Sequence, residues 1–393
     1  MAKKKSRQVI TPRLSLDKKS QGKKTVFVGL SGGVDSAVSV TILKRDFNVV
    51  GVFIKVWTPD FLPCTWREDR RDAMRVCAHL DIPFVTLDLE KEYKKEVVDY
   101  MIREYKDGRT PNPDIMCNKE IKFGAFYNFA MKHGADFVAT GHYARTEMSA
   151  GKILYDLSNK DVFHLYEARD KSKDQSYFLW NLNQEQLKHI IFPIGNNLKS
   201  DVRKQAMGLG LPNAGKKDSQ GLCFLGKVDM KDFLKHFLKP KKGNVLDIKG
   251  KKIGIHEGAI FLTVGQRHGF KLENSKNSSK PMYVISKNIK KNTVTVSELK
   301  PKDVSLVGRK NCELEETNWL EEPVKNKIYD IRFRYHQSPL KGKVKKFNRA
   351  EASTKKRGSK WYIELLKPFA GISPGQSAVV YDKQKLIGGG IIC

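Results

Sequence analysis

Two cysteines of this chain lie in segments whose residue types suit thiol chemistry. Cys117 lies within GRTPNPDIMCNKEIKFGAF, and Cys223 lies within GLPNAGKKDSQGLCFLG. Lys119 and Lys122 follow the first, and Lys216 and Lys217 precede the second. Nearby cations stabilise a thiolate and lower the pKa of a thiol, so both positions are candidate nucleophiles. Taken singly, each cysteine is also compatible with a small buried apolar residue.

Both cysteine segments are predicted to be loops. Pro111 and Pro113 argue against a core element around Cys117, and Gly221 does the same around Cys223. Asp114 comes three residues before Cys117 and is placed to handle a proton there.

A second candidate site is the glycine-rich stretch VFVGLSGGVDSAVSV near the start of the chain. It has neither the Walker A spacing nor the G-x-G-x-x-G of dinucleotide-binding folds. Gly32 and Gly33 let the backbone come close to a ligand, Ser31 and Ser36 offer hydroxyls, and the following helix presents free N–H groups to an anion. Asp35 would repel a bare phosphate, so we expect it to orient the loop or to meet a magnesium ion. The alternative is a tight strand–helix turn with capping serines.

The elements around this loop predict an α/β fold with a doubly wound parallel sheet. KTVFVGL, VVGVFIKVW, PFVTLDL and GADFVATGHYA have the composition of strands, and helical patterns separate them. Ligands in such sheets bind beyond the carboxyl ends of the strands, where the glycine-rich loop would lie. After about Leu225 the chain becomes β-rich. We predict a basic disordered tail (1–24), an α/β domain that carries both candidate sites (25–225), a small β-rich central domain (226–303) and a C-terminal antiparallel β-barrel (304–393).

The charge of the chain indicates a polyanionic partner. Its 73 Lys and Arg against 43 Asp and Glu give a net charge of +30, which favours RNA or DNA first and an anionic membrane second. The alternative is a host whose whole proteome is rich in lysine.

No apolar run approaches the ~20 residues of a membrane span, and the basic N-terminal stretch has no secretory pattern. The six cysteines form neither a disulfide framework nor a zinc pattern, so we expect reduced thiols and a cytoplasmic protein.

Taken together, these motifs resemble a known enzyme family. S-G-G-x-D-S after a strand is the signature of the PP-loop ATP pyrophosphatases, which split ATP between the α and β phosphates and adenylate an oxygen. That signature alone leaves several synthetases and tRNA-modifying enzymes open. The two cysteine segments, with KDQSYFLW, TVGQRHG, SPGQSAVVYD and GGGII, are similar to the tRNA-specific 2-thiouridylases from about Lys24 to the end of the chain.

The resemblance implies a set of site residues. Cys223 would carry sulfur as a persulfide, Cys117 would be its catalytic partner, and Asp114 would be the general acid/base. The residues implied for ATP are Gly29, Leu30, Ser31, Gly32, Gly33, Val34, Asp35, Ser36, Ile54 and Gly141. The residues implied for the target base or the tRNA are Asn112, Pro113, Asp114, His142, Lys173, Asp174, Gln175, Arg334, Tyr335 and Gln376. Ile54 stands where the family commonly has Met.

The resemblance also implies a reaction and its partners. Adenylation of O2 of the wobble uridine, at position 34 of the tRNA, would make this oxygen part of AMP, and persulfide sulfur would replace it to give 2-thiouridine. ATP and Mg²⁺ are the expected cofactors, without a metal site built from protein ligands alone. The expected partners are the anticodon stem-loop of wobble-uridine tRNAs and a persulfide donor such as a cysteine desulfurase or a sulfur-relay protein. Two alternatives remain open: a ligase similar to tRNA lysidine synthetase, and a non-catalytic RNA-binding scaffold.

Overall fold

The structure is a computed structural model, and it divides the chain into two compact units. The first unit takes its described residues from Met1–Val97, Asp114–Lys227 and Gln384–Leu386, and the second takes them from Val98–Pro113, Val228–Lys383 and Ile387–Cys393. The structure describes residues 22–62, 66–148, 162–218, 229–273, 281–298, 308–347 and 361–393.

Five parallel strands form the central sheet of the first unit, in the order β3-β2-β1-β4-β7. They are β1 (Thr25–Gly29), β2 (Asn48–Lys55), β3 (Phe84–Asp88), β4 (Phe137–Thr140) and β7 (Ile190–Ile191). Val26, Phe27 and Val28 of β1 are fully buried, as expected for a parallel strand covered on both faces.

Helices cover both faces of this sheet. Besides a short helix α5, the described helices of the first unit are α1 (Val34–Leu43), α2 (Trp66–His79), α3 (Glu90–Tyr93), α6 (Tyr127–Lys132), α7 (Gln184–Leu187) and α8 (Lys199–Gly208). On one face, Val40 of α1 and Cys77 of α2 belong to the same apolar cluster as Val26. On the other face, Phe27 packs against Phe129 of α6, with ring centroids 6.4 Å apart. The predicted doubly wound α/β fold is therefore confirmed.

Further elements of the first unit lie outside that sheet. A short helix α5 (Pro113–Met116) leads into a wide, π-helical stretch, Cys117–Phe126, which continues into α6. Strands β5 (Ala144–Met148) and β6 (Phe163–Glu167) form an antiparallel hairpin, and a 3₁₀ turn covers Ser176–Leu179.

The second unit contains a small sheet and a barrel. A π-helical stretch, Lys94–Asp99, leads from α3 into α4 (Tyr100–Lys106), and α9 spans Met230–Lys235. The small sheet has the order β10-β9-β8-β12-β11. Its strands are β8 (Gly243–Leu246), β9 (Lys252–His256), β10 (Phe270–Leu272), β11 (Tyr283–Asn288) and β12 (Thr293–Ser297).

The barrel has the strand order β13-β16-β15-β14-β17-β18 and closes through pairing of β13 with β18. Its strands are β13 (Arg309–Trp319), β14 (Ile328–Arg332), β15 (Leu340–Lys346), β16 (Trp361–Phe369), β17 (Ser377–Asp382) and β18 (Lys385–Ile392). The predicted β-rich module and antiparallel barrel are both present. The boundaries predicted for four parts stay a prediction, and residues 1–21 of the tail lie outside the described residues.

Candidate active site

The glycine-rich loop connects β1 to α1 at the carboxyl end of the parallel sheet. Ser36 closes the loop: its hydroxyl donates to the Gly33 carbonyl (3.0 Å) and accepts from the Ser31 N–H (3.3 Å). The Gly33 N–H donates to Ser31 Oγ (3.3 Å). Gly33 is the N-cap of α1 and supplies no side-chain cap. The serines therefore shape the loop, while the start of the helix keeps N–H groups suited to an anion.

Close packing explains why two positions around this loop are glycine. Gly32 has φ +76°, and a Cβ there would lie 2.4 Å from the Asp69 carbonyl oxygen. A Cβ on Gly141 would lie 2.9 Å from the Ser36 nitrogen. Gly141 thus lets the segment after β4 lie directly against the start of α1, beside the loop.

The Asp35 carboxylate is held by two side chains from outside the loop. Lys199 Nζ lies 2.7 Å from its Oδ1 and 2.8 Å from its Oδ2, and the Tyr143 hydroxyl donates to Oδ1 at 2.9 Å. Burial and the Asp35 charge raise the pKa of Tyr143, which keeps the phenol a neutral donor. Of the two roles expected for Asp35, this geometry favours orienting the loop.

The same Lys199 also binds a second carboxylate, that of Asp218, at 2.8 Å. Arg203 and Lys173 contact Asp218 as well, at 2.6 and 3.2 Å. Burial acts to raise the pKa of Asp218, but hydrogen bonds from Lys199 and Lys173 outweigh it and lower the pKa to about 2. Asp218 is therefore an anion held by three cations.

Ile54, implied for adenine contact, lies in β2 next to the loop strand and is buried. The Leu30 N–H donates to the Val52 carbonyl at 2.8 Å, which fixes the start of the loop to the same strand. Because the Ile54 side chain is apolar, the contact that it can make with adenine is apolar as well.

Cys117 does not lie in a loop, and that prediction was wrong. Pro113 begins a helix, which continues through Cys117 to Phe126. Proline suits the first helical position because its missing N–H has no partner to lose there, so Pro113 starts the helix instead of preventing it. The Cys117 side chain is fully buried, whereas Asn112 and Asp114 are half-buried.

The helical stretch that carries Cys117 packs against the loop strand. A Cβ on Gly29 would meet the Phe126 ring at 3.4 Å. The same stretch contacts the segment after β4, since Lys122 Nζ lies 3.3 Å from His142 Nε2. Of the two lysines predicted to stabilise a Cys117 thiolate, Lys122 makes this contact with His142, and Lys119 Nζ lies 3.4 Å from a carboxylate oxygen of Glu120. Through these contacts, the helical stretch that bears Cys117 touches both β1, the strand before the glycine-rich loop, and the segment after β4.

His142 is buried rather than presented at the surface. Its Nδ1 lies 2.7 Å from Thr140 Oγ1, and its ring packs near those of Phe123 and Phe192. Burial and the charge of Lys122 lower the pKa of His142 well below its ordinary value of 6.5. A neutral imidazole follows, whose Nε2 accepts from the Lys122 ammonium group. We assign His142 to positioning Lys122 and the helix.

The turn Lys173-Asp174-Gln175 supports the site from its other side. The Gln175 side chain accepts from the Tyr143 N–H (3.0 Å), and its own N–H donates to the Tyr143 carbonyl (2.8 Å). Asp174 is buried and accepts from the Ala168 N–H and from both the N–H and the hydroxyl of Ser176. Burial raises the pKa of Asp174. The turn thus holds Tyr143, which in turn binds Asp35.

The remaining candidate residues belong to the second unit. Gln376 Nε2 donates to the carbonyls of Thr110 (2.8 Å) and Pro111 (3.3 Å), directly before Asn112. Arg334 donates to the Val264 carbonyl, and Tyr335 is exposed. Gln376 therefore fixes the backbone that leads into Asn112 and Pro113.

Two predictions concern parts of the chain that the structure does not describe, or describes only in part. Cys223 lies outside them, so its expected role stays a prediction. Among the parts of the chain that the structure describes, no group of three or more metal-binding side chains occurs, and no helix is long and apolar enough to cross a membrane.

The sequence did not identify Lys199, Tyr143, Arg203 or Asp218 as site residues. Lys199 and Asp35 are separated by 164 positions, and only the fold brings them together. A sequence signal existed for Asp218, because it follows the two lysines that precede Cys223.

Family models cover almost the whole of this chain. The tRNA methyl transferase HUP domain matches residues 24–227, and the tRNA methyl transferase PRC-barrel domain matches residues 231–298. The aminomethyltransferase beta-barrel domain matches residues 309–392.

Curated relatives carry a more specific name. The chain is 39% identical over 375 residues to the tRNA-specific 2-thiouridylase MnmA of Streptococcus thermophilus, covering 94% of this chain and 95% of the relative. It is 38% identical to the protein of that name from Enterococcus faecalis, with the same two shares covered. For the Geobacillus thermodenitrificans protein the identity is 38%, over 93% of this chain and 94% of the relative.

Proposed function

The chain belongs to the tRNA-specific 2-thiouridylase family, and on that premise we propose that it makes 2-thiouridine at the wobble position of tRNA by an ATP-dependent exchange of oxygen for sulfur. One observation carries the proposal: the loop Ser31–Ser36 lies at the start of α1, and the helical stretch bearing Cys117 packs against the same loop strand. ATP chemistry and thiol chemistry are thereby supported within one unit of the protein.

In the first step, O2 of the uridine attacks the α-phosphorus of ATP, and pyrophosphate leaves. The α1 N–H groups and the loop amides would stabilise the phosphate oxygens. Lys199 neutralises Asp35, so its carboxylate does not repel the nucleotide. Ile54 supplies an apolar wall, and Gly141 leaves room for the backbone beside the start of α1.

In the second step, the outer sulfur of a Cys223 persulfide attacks C2 of the uridine. The Cys117 thiolate then attacks the Sγ of Cys223, and the S–S bond of the former persulfide breaks. The sulfur left on C2 expels AMP and becomes the thiocarbonyl. Cys117 and Cys223 are left as a disulfide, which an external thiol reduces before the next cycle. The reduction of the transferred sulfur thus balances the oxidation of the two thiols.

Asn112, Pro113 and Asp114 are proposed to contact the target base, and Asp114 is proposed to be the general acid/base of the reaction. Asp114 stands at the start of the helix that carries Cys117, one turn before it. Since the Cys117 side chain is fully buried, its attack requires that this region opens when tRNA binds. Arg334 and Tyr335 are proposed to contact tRNA, and the charge of +30 supports a polyanionic substrate.

Magnesium is proposed to arrive with ATP, held chiefly by phosphate oxygens. Both oxygens of Asp35 already contact Lys199, and the described residues hold no three-ligand cluster. The sulfur is proposed to come from a persulfide-bearing protein, and the reaction to take place in the cytoplasm. The comparisons give no support to a lysidine-forming ligase or to a non-catalytic scaffold.

Cysteine variants test this proposal. C117S and C223S should each form no 2-thiouridine, because each removes one sulfur atom that the second step needs. C393S, which alters a cysteine outside both motifs, is the control and should thiolate tRNA at the wild-type rate. The measurement is 2-thiouridine in purified tRNA incubated with ATP, Mg²⁺ and a persulfide donor. Full activity of either C117S or C223S would refute the proposed chemistry.

A further inference from the structure

The peptide between Gly32 and Gly33 has a defined orientation in the glycine-rich loop. The Gly32 carbonyl accepts a hydrogen bond from Asn213 Nδ2 at 2.9 Å. Because the carbonyl and the N–H of a trans peptide point in opposite directions, the Gly33 N–H points away from Asn213. This N–H donates to Ser31 Oγ at 3.3 Å, and that hydroxyl lies 3.3 Å from Ser36 Oγ. The N–H and the two serine hydroxyls are therefore neighbours, and the Gly32 carbonyl points away from them.

The sequence of the loop does not fix this orientation by itself. Adjacent glycines lack the Cβ that restricts backbone rotation, so a peptide between them can flip at little cost. Gly32 has φ +76°, a conformation that glycine adopts easily. After a flip, the Gly32 carbonyl would take the place of the Gly33 N–H, and its partial negative charge would repel a phosphate. A contact from outside the loop is therefore needed to hold the orientation that suits an anion.

Asn213 is itself held in place to make that contact. Leu211, two residues before it, is buried in an apolar cluster with residues of α1. The Lys216 N–H donates to the Asn213 carbonyl at 3.0 Å. Lys216 Nζ also contacts two carboxylates of α2, those of Asp69 and Asp72, at 2.8 and 2.7 Å. The backbone is thus fixed on both sides of Asn213, and its side chain is presented to the loop with little freedom.

The contact with Gly32 explains why an asparagine stands at this position. Asn213 is only 6% exposed, and its Oδ1 has no hydrogen-bond partner within the described parts of the chain. The partner identifies the two amide atoms, since a carbonyl oxygen can accept from Nδ2 but not from Oδ1. Burial of an unpaired amide oxygen costs stability, so packing alone does not account for this side chain. What the asparagine provides is a donor for the Gly32 carbonyl.

We propose that Asn213 is a positioning residue for phosphate binding, which locks the Gly32–Gly33 peptide so that its N–H, and not its carbonyl, meets the nucleotide. This role rests on the proposed function and adds to it the group that orients the loop. Asn213 acts through the Gly32 carbonyl and not by contact with the nucleotide. Its replacement should therefore weaken binding of the phosphates and leave binding of adenosine unchanged.

The N213L variant tests this split by isothermal titration calorimetry without tRNA. Leucine is similar in size but cannot donate to the Gly32 carbonyl. We expect the Kd for a non-hydrolysable ATP analogue to rise about tenfold, as the loss of one hydrogen bond to a buried group predicts, and the Kd for adenosine to stay within about twofold of wild type. N196D, which changes an exposed asparagine of the same unit, is the control and should bind both ligands as wild type does.

The N213D variant adds a pH profile that a loosened fold would not produce. Aspartate keeps the shape of asparagine, but its carboxyl can donate to the Gly32 carbonyl only when it is protonated. Burial raises the pKa of such a carboxyl. Relative to wild type at the same pH, we expect N213D to bind the ATP analogue about tenfold more weakly at about pH 8 and with nearly equal affinity at about pH 5.5.

The outcomes separate this role from the proposed function. An unchanged Kd of N213L for the ATP analogue overturns the proposal. An equal loss of affinity for adenosine and for the analogue also overturns it, because a merely structural role predicts that result. A Kd of N213D that stays raised at pH 5.5 contradicts it as well, since the protonated carboxyl should restore the contact. Wild type that binds the analogue but makes no 2-thiouridine refutes the proposed reaction only, and the Kd values still decide the role of Asn213. Wild type that binds no analogue refutes both.

Discussion

The Lys199 ammonium group lies 2.7 Å from Oδ1 and 2.8 Å from Oδ2 of Asp35. The only carboxylate of the SGGVDS motif is thus neutralised by a residue that follows it by 164 positions. A phosphate approaching the start of α1 meets a paired carboxylate rather than a bare one. The acidic residue of the loop is therefore compatible with an anionic ligand.

Replacement of Lys199 should weaken ATP binding. K199M leaves the Asp35 carboxylate without its cation beside the proposed phosphate site. We therefore expect the Kd for a non-hydrolysable ATP analogue to rise about tenfold, which is the effect of removing one partly screened ion pair. Isothermal titration calorimetry measures this Kd. K204M, an exposed lysine on the same helix, is the control. The double variant D35N/K199M should recover part of the loss, and an unchanged Kd for K199M would show that Lys199 does not act on the nucleotide.

Gly141→Ala should impair adenylation without unfolding the protein. The new Cβ would lie 2.9 Å from the Ser36 nitrogen, so the start of α1 must shift. Small displacements of catalytic groups lower rates strongly, and we expect a loss of about tenfold or more in tRNA-dependent pyrophosphate release. G208A is the matched control, because a Cβ at Gly208 meets no atom within 4 Å. Equal rates for G141A and G208A would contradict the close packing at Gly141.

His142 should make the stability of the first unit depend on pH. Its pKa is depressed in the folded protein, so below about pH 6.5 the unfolded chain binds a proton that the folded protein does not. The free energy of unfolding should therefore fall as pH decreases, by up to about 1.4 kcal/mol per pH unit for this one proton. Urea unfolding followed by tryptophan fluorescence between pH 7 and 5 measures the slope.

The H142Q variant identifies the group responsible for that slope. Glutamine cannot titrate, so we expect the free energy of unfolding of H142Q to fall less steeply with decreasing pH than that of wild type below pH 6.5. H133Q changes an exposed histidine of the same unit and is the control. Identical slopes for H142Q and wild type would show that His142 is not buried as a neutral base.

Arg109 should be essential for the stability of the second unit. Its Nε lies 2.6 Å from Glu104 Oε2, although the N–H is not aligned with that oxygen. The guanidinium also forms an ion pair with Glu315 and donates a hydrogen bond to the Ile392 carbonyl (3.2 Å). R109A leaves two buried carboxylates without their cation and should cost about 3–5 kcal/mol. Thermal unfolding measures the loss. R103A, on an exposed position of α4, is the control, and R109M/E104Q/E315Q should recover much of the stability. A Tm for R109A equal to that of R103A would refute this role.

Hydrophobic patterning was sufficient to predict four of the five strands in the parallel sheet of the first unit, whereas the two-residue strand β7 was not predicted. The strands around Val26, Val50 and Val85 are short apolar runs separated by helical patterns, and that alternation determines a parallel sheet with its loops at one edge. The glycine-rich loop was therefore placed correctly at the carboxyl end of β1.

Local patterns could not predict what surrounds the loop. From the sequence, Pro113 predicts a loop, but proline is equally suited to the first turn of a helix, and only packing decides between them. The ion pairs of Lys199 join residues far apart in the chain, and no periodicity records such contacts. The burial of His142 likewise depends on Phe123 and Phe192, which tertiary structure brings to its ring.

The most direct test of the central claim is mass spectrometry of nucleosides from tRNA of cells that lack their own thiouridylase, with and without this protein. We predict that 2-thiouridine derivatives appear at the wobble position when the wild-type chain is expressed, and that they stay absent with C117S or C223S expressed at the same level. Wobble uridines that remain unthiolated in the presence of the folded wild-type protein and a persulfide donor would contradict the account.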